Sequence, residues 1–237
     1  MTRLLVWDLP VRLFHVLLAV TFAGAFALSS VDDDSPVFAA HMLLGLVMAF
    51  MVALRVVWGF VGTRHARFAD FVHGPRAILR YFGGVLRGRA GRDAGHNPGS
   101  SVAIFLMLAL VVGLAVTGVL MGQGDESLED LHGAFAVALL VVVGLHVAGV
   151  ILHSVRQREN LTRSMIDGRK EVAPEQAIAG PRPVVGLVFL ALTGLWASLL
   201  AAGFDPVTRR LELPIVAASL QLGEVESGGS GAADHDD

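Results

Sequence analysis

Five long apolar stretches, with the charge confined between them, constrain this chain more than any other feature. They cover roughly residues 11–30, 36–62, 100–121, 131–154 and 184–204. Each holds about the 20 residues that an α-helix needs to cross the hydrocarbon layer of a bilayer. Inside lipid every backbone N–H and C=O must find a partner within the protein, which leaves helices or closed barrels. Apolar runs of this length select helices. Composition agrees: 54% of the 237 residues are hydrophobic and 16% are charged, where a soluble domain carries about a quarter charged residues. The mean hydropathy is +0.64. The sequence predicts an all-α integral membrane bundle of five transmembrane helices: a four-helix core plus a fifth helix. Residues 1–204 form the membrane domain. Residues 205–237 form a tail whose end, "ESGGSGAADHDD", has the composition of a disordered segment.

The loops set an orientation. Arg64, Arg67, Arg76, Arg80, Arg87, Arg89 and Arg92 separate spans two and three; Arg156, Arg158, Arg163, Arg169, Lys170 and Arg182 separate spans four and five. The other two loops, "SVDDDSP" and "GQGDESLED", contain no Lys or Arg. The positive-inside rule places the N-terminus in the cytoplasm and the C-terminus, with the tail, outside. The first span follows Asp8 and Pro10 and lacks a small-residue cleavage site, so it reads as a retained helix. Within the first basic loop, "FADFVHGPRAILRYFGGVLRG" mixes apolar residues at helical spacing with arginines, as expected of an amphipathic helix in the cytoplasmic interface. Trp7 and Trp58 fit an aromatic belt. A net charge of −3 gives no reason to expect nucleic acid, and the absence of cysteine excludes disulfides, thiolate iron–sulfur ligation and covalent c-type haem.

Five histidines lie inside the spans, His15, His41, His132, His146 and His153, and four of them point to chemistry. A buried imidazole needs a hydrogen bond or a metal, and ionisable residues within membrane segments mark functional sites. Successive helices run in opposite directions, so His15 and His41, each opening its span, lie at opposite faces. His132 opens the fourth span, and His146 follows fourteen residues later, about 21 Å deeper on the same side of the helix. Two depth-matched pairs result: His41 with His132 near the outer face, His15 with His146 nearer the cytoplasm. Paired neutral histidines on facing helices suit axial ligation of haem iron. Zinc or copper would gather its ligands at one point instead. By depth alone His153 matches His15 about as well as His146 does; His146 is preferred because it stands further from the polar end at Arg156. His65, His73 and His96 in the basic loop and His235 in the tail are expected to be solvated or interfacial. Arg55, a charge inside span two, either snorkels or meets a haem propionate, and Arg12, one turn before His15, could do either. Gly45, one turn after His41, would let a flat macrocycle or a helix come close. Gly24, Gly113, Gly118 and Gly144 read mainly as helix-packing positions.

The segments "VWDLPVRLFHVLLA", "HMLLGLVMAFMVALRVVWGFVG", "GHNPGSSVAIFLMLALVVGLAVTG" and "LHGAFAVALLVVVGLHVAGVIL", followed by "RENLTRSMIDGRK", together resemble the bacterial dihaem b-type cytochromes of the cytochrome b561 family. That family includes the cytochrome b subunits of nickel–iron hydrogenases. The resemblance covers most of residues 4–170. It implies two b haems ligated from the first, second and fourth helices, and the matching positions are His15, His41, His132 and His146; His153 falls outside the pattern. The family commonly has tryptophan after the first-helix histidine, where this chain has Val16. The implied function is electron transfer across the bacterial inner membrane, between the quinone pool and a redox partner at the outer face, either a c-type cytochrome or a hydrogenase-like oxidoreductase. The acidic outer loops, Asp32 to Asp34 and Asp125 to Asp130, could steer a basic cytochrome c but are expected simply to serve topology and solvation. Two rivals are a self-contained quinol oxidoreductase acting on oxygen species such as superoxide, and a haem-free transporter. A homodimer is compatible with all three.

Overall fold

A computed structural model describes residues 3–32, 35, 37–88, 93–213 and 219–222. Arg89, Arg92, Asp33, Asp34, His235 and the expected disorder of the final residues lie outside that set. Five helices are long and apolar enough to cross a membrane: α1 (Leu9–Leu28), α2 (Phe38–Val61), α4 (Pro98–Met121), α5 (Glu129–Gln157) and α7 (Pro183–Gly203). The expected ends agree within three residues. Two shorter helices, α3 (Pro75–Leu86) and α6 (Leu161–Asp167), belong to the basic loops. α3 is the expected amphipathic helix. Ile78, Tyr81 and Val85 are half-buried, while Leu79, Phe82 and Leu86 form an exposed apolar stripe beside Arg76, Arg80 and Arg87.

α1 packs on α2, α4 packs on α5, and α2 joins the pairs through α4; α7 lies against α1 and α2 as the fifth helix. The central core is Phe14, Met48, Met51, Val52, Leu108, Val111, Leu139 and Phe189. α1 and α5 share no extensive packing among the described residues. In α5 only Leu139 and His153 are buried, although the helix has 29 residues. Toward the acidic end a cleft beside α5 is bounded by α1, α2 and α4.

Short strands close both ends of the bundle. At the basic end β1 (Arg3–Leu5) pairs antiparallel with β2 (Arg169–Glu171), Leu4 opposite Lys170. Asp8 organises this end. It is 1% exposed, caps α1 by accepting from the Val11 N–H at 3.0 Å, and accepts from Trp58 Nε1 at 3.0 Å and Thr63 Oγ1 at 2.6 Å. One carboxylate thus ties the start of α1 to the end of α2. Gly168, at φ +77°, ends α6; its carbonyl accepts from the N–H groups of Val6 and Trp7, and a side chain there would strike the Trp7 carbonyl at 2.8 Å. Trp7 and Trp58 are not a lipid-facing belt. Trp7 is buried and donates to Ser164, and Trp58 donates to Asp8, because each indole N–H finds a partner inside the protein. Replacing Asp8 with alanine strands three donors and removes a cap. The expected loss is at least about 2–3 kcal/mol, read as a lowered unfolding midpoint in detergent, with Asp8→Asn intermediate.

At the acidic end the chain turns back on itself after α7. β3 (Phe204–Asp205), β4 (Arg210–Glu212) and β5 (Ser219–Gln221) form an antiparallel sheet. Leu211, Leu220 and Leu222 from it are buried with Ala39 of α2 and Leu200 of α7.

Candidate haem sites

His41 and His132 face each other near the acidic end, their ring centroids 6.4 Å apart and their planes at 71°. His41 Nδ1 lies 2.7 Å from the Ala25 carbonyl oxygen, which can only accept, so Nδ1 carries the proton. His132 Nδ1 lies 2.8 Å from Thr117 Oγ1, whose own hydrogen goes to the Gly113 carbonyl at 2.9 Å; Nδ1 is again the donor. Both Nε2 atoms are thereby left as bare acceptors. This is how proteins orient histidines for metal: a hydrogen bond on one ring nitrogen fixes the tautomer and turns the other toward the ion. Two metal–nitrogen bonds of about 2.0 Å each, together with the half-widths of two imidazoles, span roughly 6.3 Å. The observed separation fits one iron between the rings.

Two apolar clefts of ≈ 550 and ≈ 380 Å³ have both His41 and His132 in their walls. The larger extends to Phe22 and Phe26 of α1; the smaller extends to Leu220 and Leu222 of the C-terminal segment. Gly45 lines both, and a Cβ placed there would meet nothing within 4 Å. Gly24, by contrast, is filled by Leu44 at 3.1 Å and Gly113 by Phe135 at 2.9 Å, so these two glycines serve helix packing. Gly118 lies against His132, whose Cε1 would be 3.3 Å from an added Cβ. Among the described residues no three His, Asp or Glu side chains gather as a metal-ion site. A two-histidine set with apolar space around it suits a metal that brings its own equatorial ligands. Thr117→Val, which keeps the shape but removes the acceptor for His132 Nδ1, is expected to weaken retention of this cofactor by about 10–100-fold, read by haem titration of the apoprotein.

His15 of α1 and His146 of α5 are within electrostatic reach of each other toward the basic end. His153 is elsewhere: buried near the end of α5, its Nε2 lies 3.9 Å from the Glu159 carboxylate, which is also 3.9 Å from Lys170 Nζ. Arg55 does not snorkel. It is 4% exposed, donates to the Ala66 carbonyl at 3.0 Å and stands over the Phe68 ring; its buried Nη1 has no hydrogen-bond partner among the described residues. Such a donor fits an acceptor carried by a bound group, such as a carboxylate. Arg12 instead donates to the carbonyls of Met165 and Ile166, near the C-terminal end of α6.

Sequence reasoning missed His65 and His96, both expected to be solvated or interfacial. His65 Nε2 lies 2.7 Å from the Gln176 carbonyl oxygen. The His96 ring packs 4.7 Å from those of Trp7 and Phe71, within electrostatic reach of Arg55 and His146. The "GHNP" turn gave a signal, since Asn97 and Pro98 cap α4 and draw His96 onto the bundle. Burial pushes His96 well below its ordinary 6.5, with repulsion from Arg55, His65, Lys170 and His146 adding to it, and burial also lowers His65. The unfolded chain therefore binds more protons below about pH 6.5, so this stability is full above that value and is lost on acidification. The unfolding midpoint should fall between about pH 7.5 and 5.5, and the fall should be smaller in His96→Phe.

The family model of the prokaryotic cytochrome b561 matches residues 6–168. The chain belongs to that family. It is accordingly a multi-pass membrane protein that transfers electrons through haem b, and the haem-free transporter reading is set aside. Its relatives include probable Ni/Fe-hydrogenase B-type cytochrome subunits. The protein of Rhizobium leguminosarum bv. viciae is 26% identical over 70% of this chain and 87% of the relative. That of Rhodobacter capsulatus is 25% identical over 71% and 82%, and that of Bradyrhizobium diazoefficiens 27% identical over 56% and 65%. No solved structure matches the chain.

Proposed function

We propose that this b561 family member holds two b haems, each between two histidines, and carries single electrons across the inner membrane between the quinone pool and a redox partner at the outer face. The observation that carries the reading is the His41–His132 pair: both Nδ1 atoms committed, both Nε2 atoms free, and the rings separated by one iron's coordination distance. His41 and His132 are the ligands of the outer haem, and His15 and His146 those of the inner one. Gly45 leaves room for the outer macrocycle, and Arg55 neutralises a carboxylate of the inner group. When bound, haem b supplies reversible one-electron iron chemistry; the chain fixes axial ligands, polarity and distance. Basic loops inside and acidic loops outside orient the path. The hydrogenase named in the relatives supports an oxidoreductase of that kind as the outer partner.

The test is directional. In proteoliposomes with quinol supplied in the membrane, an impermeant acceptor at the C-terminal face should be reduced. Failure of quinol to reduce the bound haem would contradict the reading.

A further inference from the structure

The family match ends at residue 168, yet a much later segment completes the outer site. β5 is anchored by its backbone: the Gln221 N–H donates to the Gly122 carbonyl at the end of α4, at 2.8 Å, and the Leu222 N–H to the Arg209 carbonyl at 2.7 Å. Alternation along the strand turns Leu220 and Leu222 to one side, and Leu220 stands opposite Leu211 of β4. Leu220 is 1% exposed and Leu222 0%. Both line the cleft that holds His41, Gly45, Gly118 and His132. On the other side of the strand Gln221 donates to the Thr208 carbonyl, keeping the polar groups away from the cleft.

We infer that the β3–β5 sheet is the outer wall of the His41–His132 site, and that Leu220 and Leu222 raise the reduction potential of the group bound there by excluding water. This rests on the two-haem reading above. A ferric iron between two neutral imidazoles carries one more positive charge than the ferrous form. An apolar wall disfavours the more charged state, so it raises the potential; water admitted in its place lowers it. The leucines act through the environment of the cofactor and are positioning residues.

The experiment is a potentiometric titration of full-length protein in detergent, comparing wild type with Leu220→Ser and Leu222→Ser. The outer component is identified as the one missing from His132→Ala. The expected result is a downward shift of the outer midpoint alone, with faster reduction of that component by a hydrophilic reductant. Loss of the outer haem alone is the stronger form of the same result. Leu213→Ser, in the same apolar cluster but outside the cleft wall, should shift neither midpoint. Where a serine variant does not fold, Leu220→Ala and Leu222→Ala should give the same shift in smaller measure. Variants that keep two haems with both midpoints unchanged, or with both moved equally, would overturn the inference. A wild type that does not bind two haems would instead overturn the reading on which it rests.

Discussion

Alanine at His132 should remove one haem and leave the other. On the proposed ligation the outer haem would lose an axial ligand, and His41 would keep its Nδ1 bond to Ala25 without an opposite partner. Apart from His41, the cleft is lined by apolar residues and Ser29, with no second imidazole, and a thioether such as Met42 or Met48 would give a different axial ligand set and spectrum. Altering groups that merely orient a ligand costs about 10–100-fold in affinity, and removing the ligand itself should cost more. The reduced-minus-oxidised α band should fall by about half, with the inner midpoint retained, and transfer to an acceptor at the outer face should stop. His41→Ala should behave the same way. The helices should survive: His132 is only half-buried and the central core does not include it.

The second large effect separates two histidines that one helix presents on nearly the same side. His146→Ala should remove the inner haem and spare the outer one. His153→Ala should leave both haems bound and instead reduce stability, because His153 is buried beside Glu159 and Lys170. The expected cost is about 1–3 kcal/mol, as for other buried polar groups whose neighbours lose a partner. Haem content measured in parallel with the unfolding midpoint distinguishes the two. A His153→Ala protein with one haem would reassign the inner ligand.

Much of this was legible in the sequence, and the reason is physical. Lipid imposes length and apolarity on a spanning helix, so α1, α2, α4, α5 and α7 announce themselves. Alternating helix direction then converts the positions of His15, His41, His132 and His146 into depths. What depth counting could not do was separate His146 from His153. The proposed preference for His146 is supported by where α5 ends: it runs on to Gln157, and the following turn brings Glu159 to 3.9 Å from His153. The Asp8 network was half-visible, since an acidic residue two before a proline is a helix start, but its reach to Trp58 and Thr63 depends on the packing of α1 on α2. The wall at the acidic end was hidden for another reason. Strands of two or three residues fall below what alternation can reveal, although "RLEL" and "SLQL" each set leucines two apart. Trp7 and Trp58 misled because an indole near a membrane surface serves equally well as a belt residue or as an interior donor.

The most direct measurement is haem b per polypeptide in purified full-length protein, with low-temperature electron paramagnetic resonance to read the axial ligands. Two low-spin, bis-imidazole haems per chain are expected, one lost in His132→Ala and the other in His146→Ala. A folded protein that stays colourless when supplied with haem, or that binds a single haem unaffected by His132→Ala, would contradict that expectation.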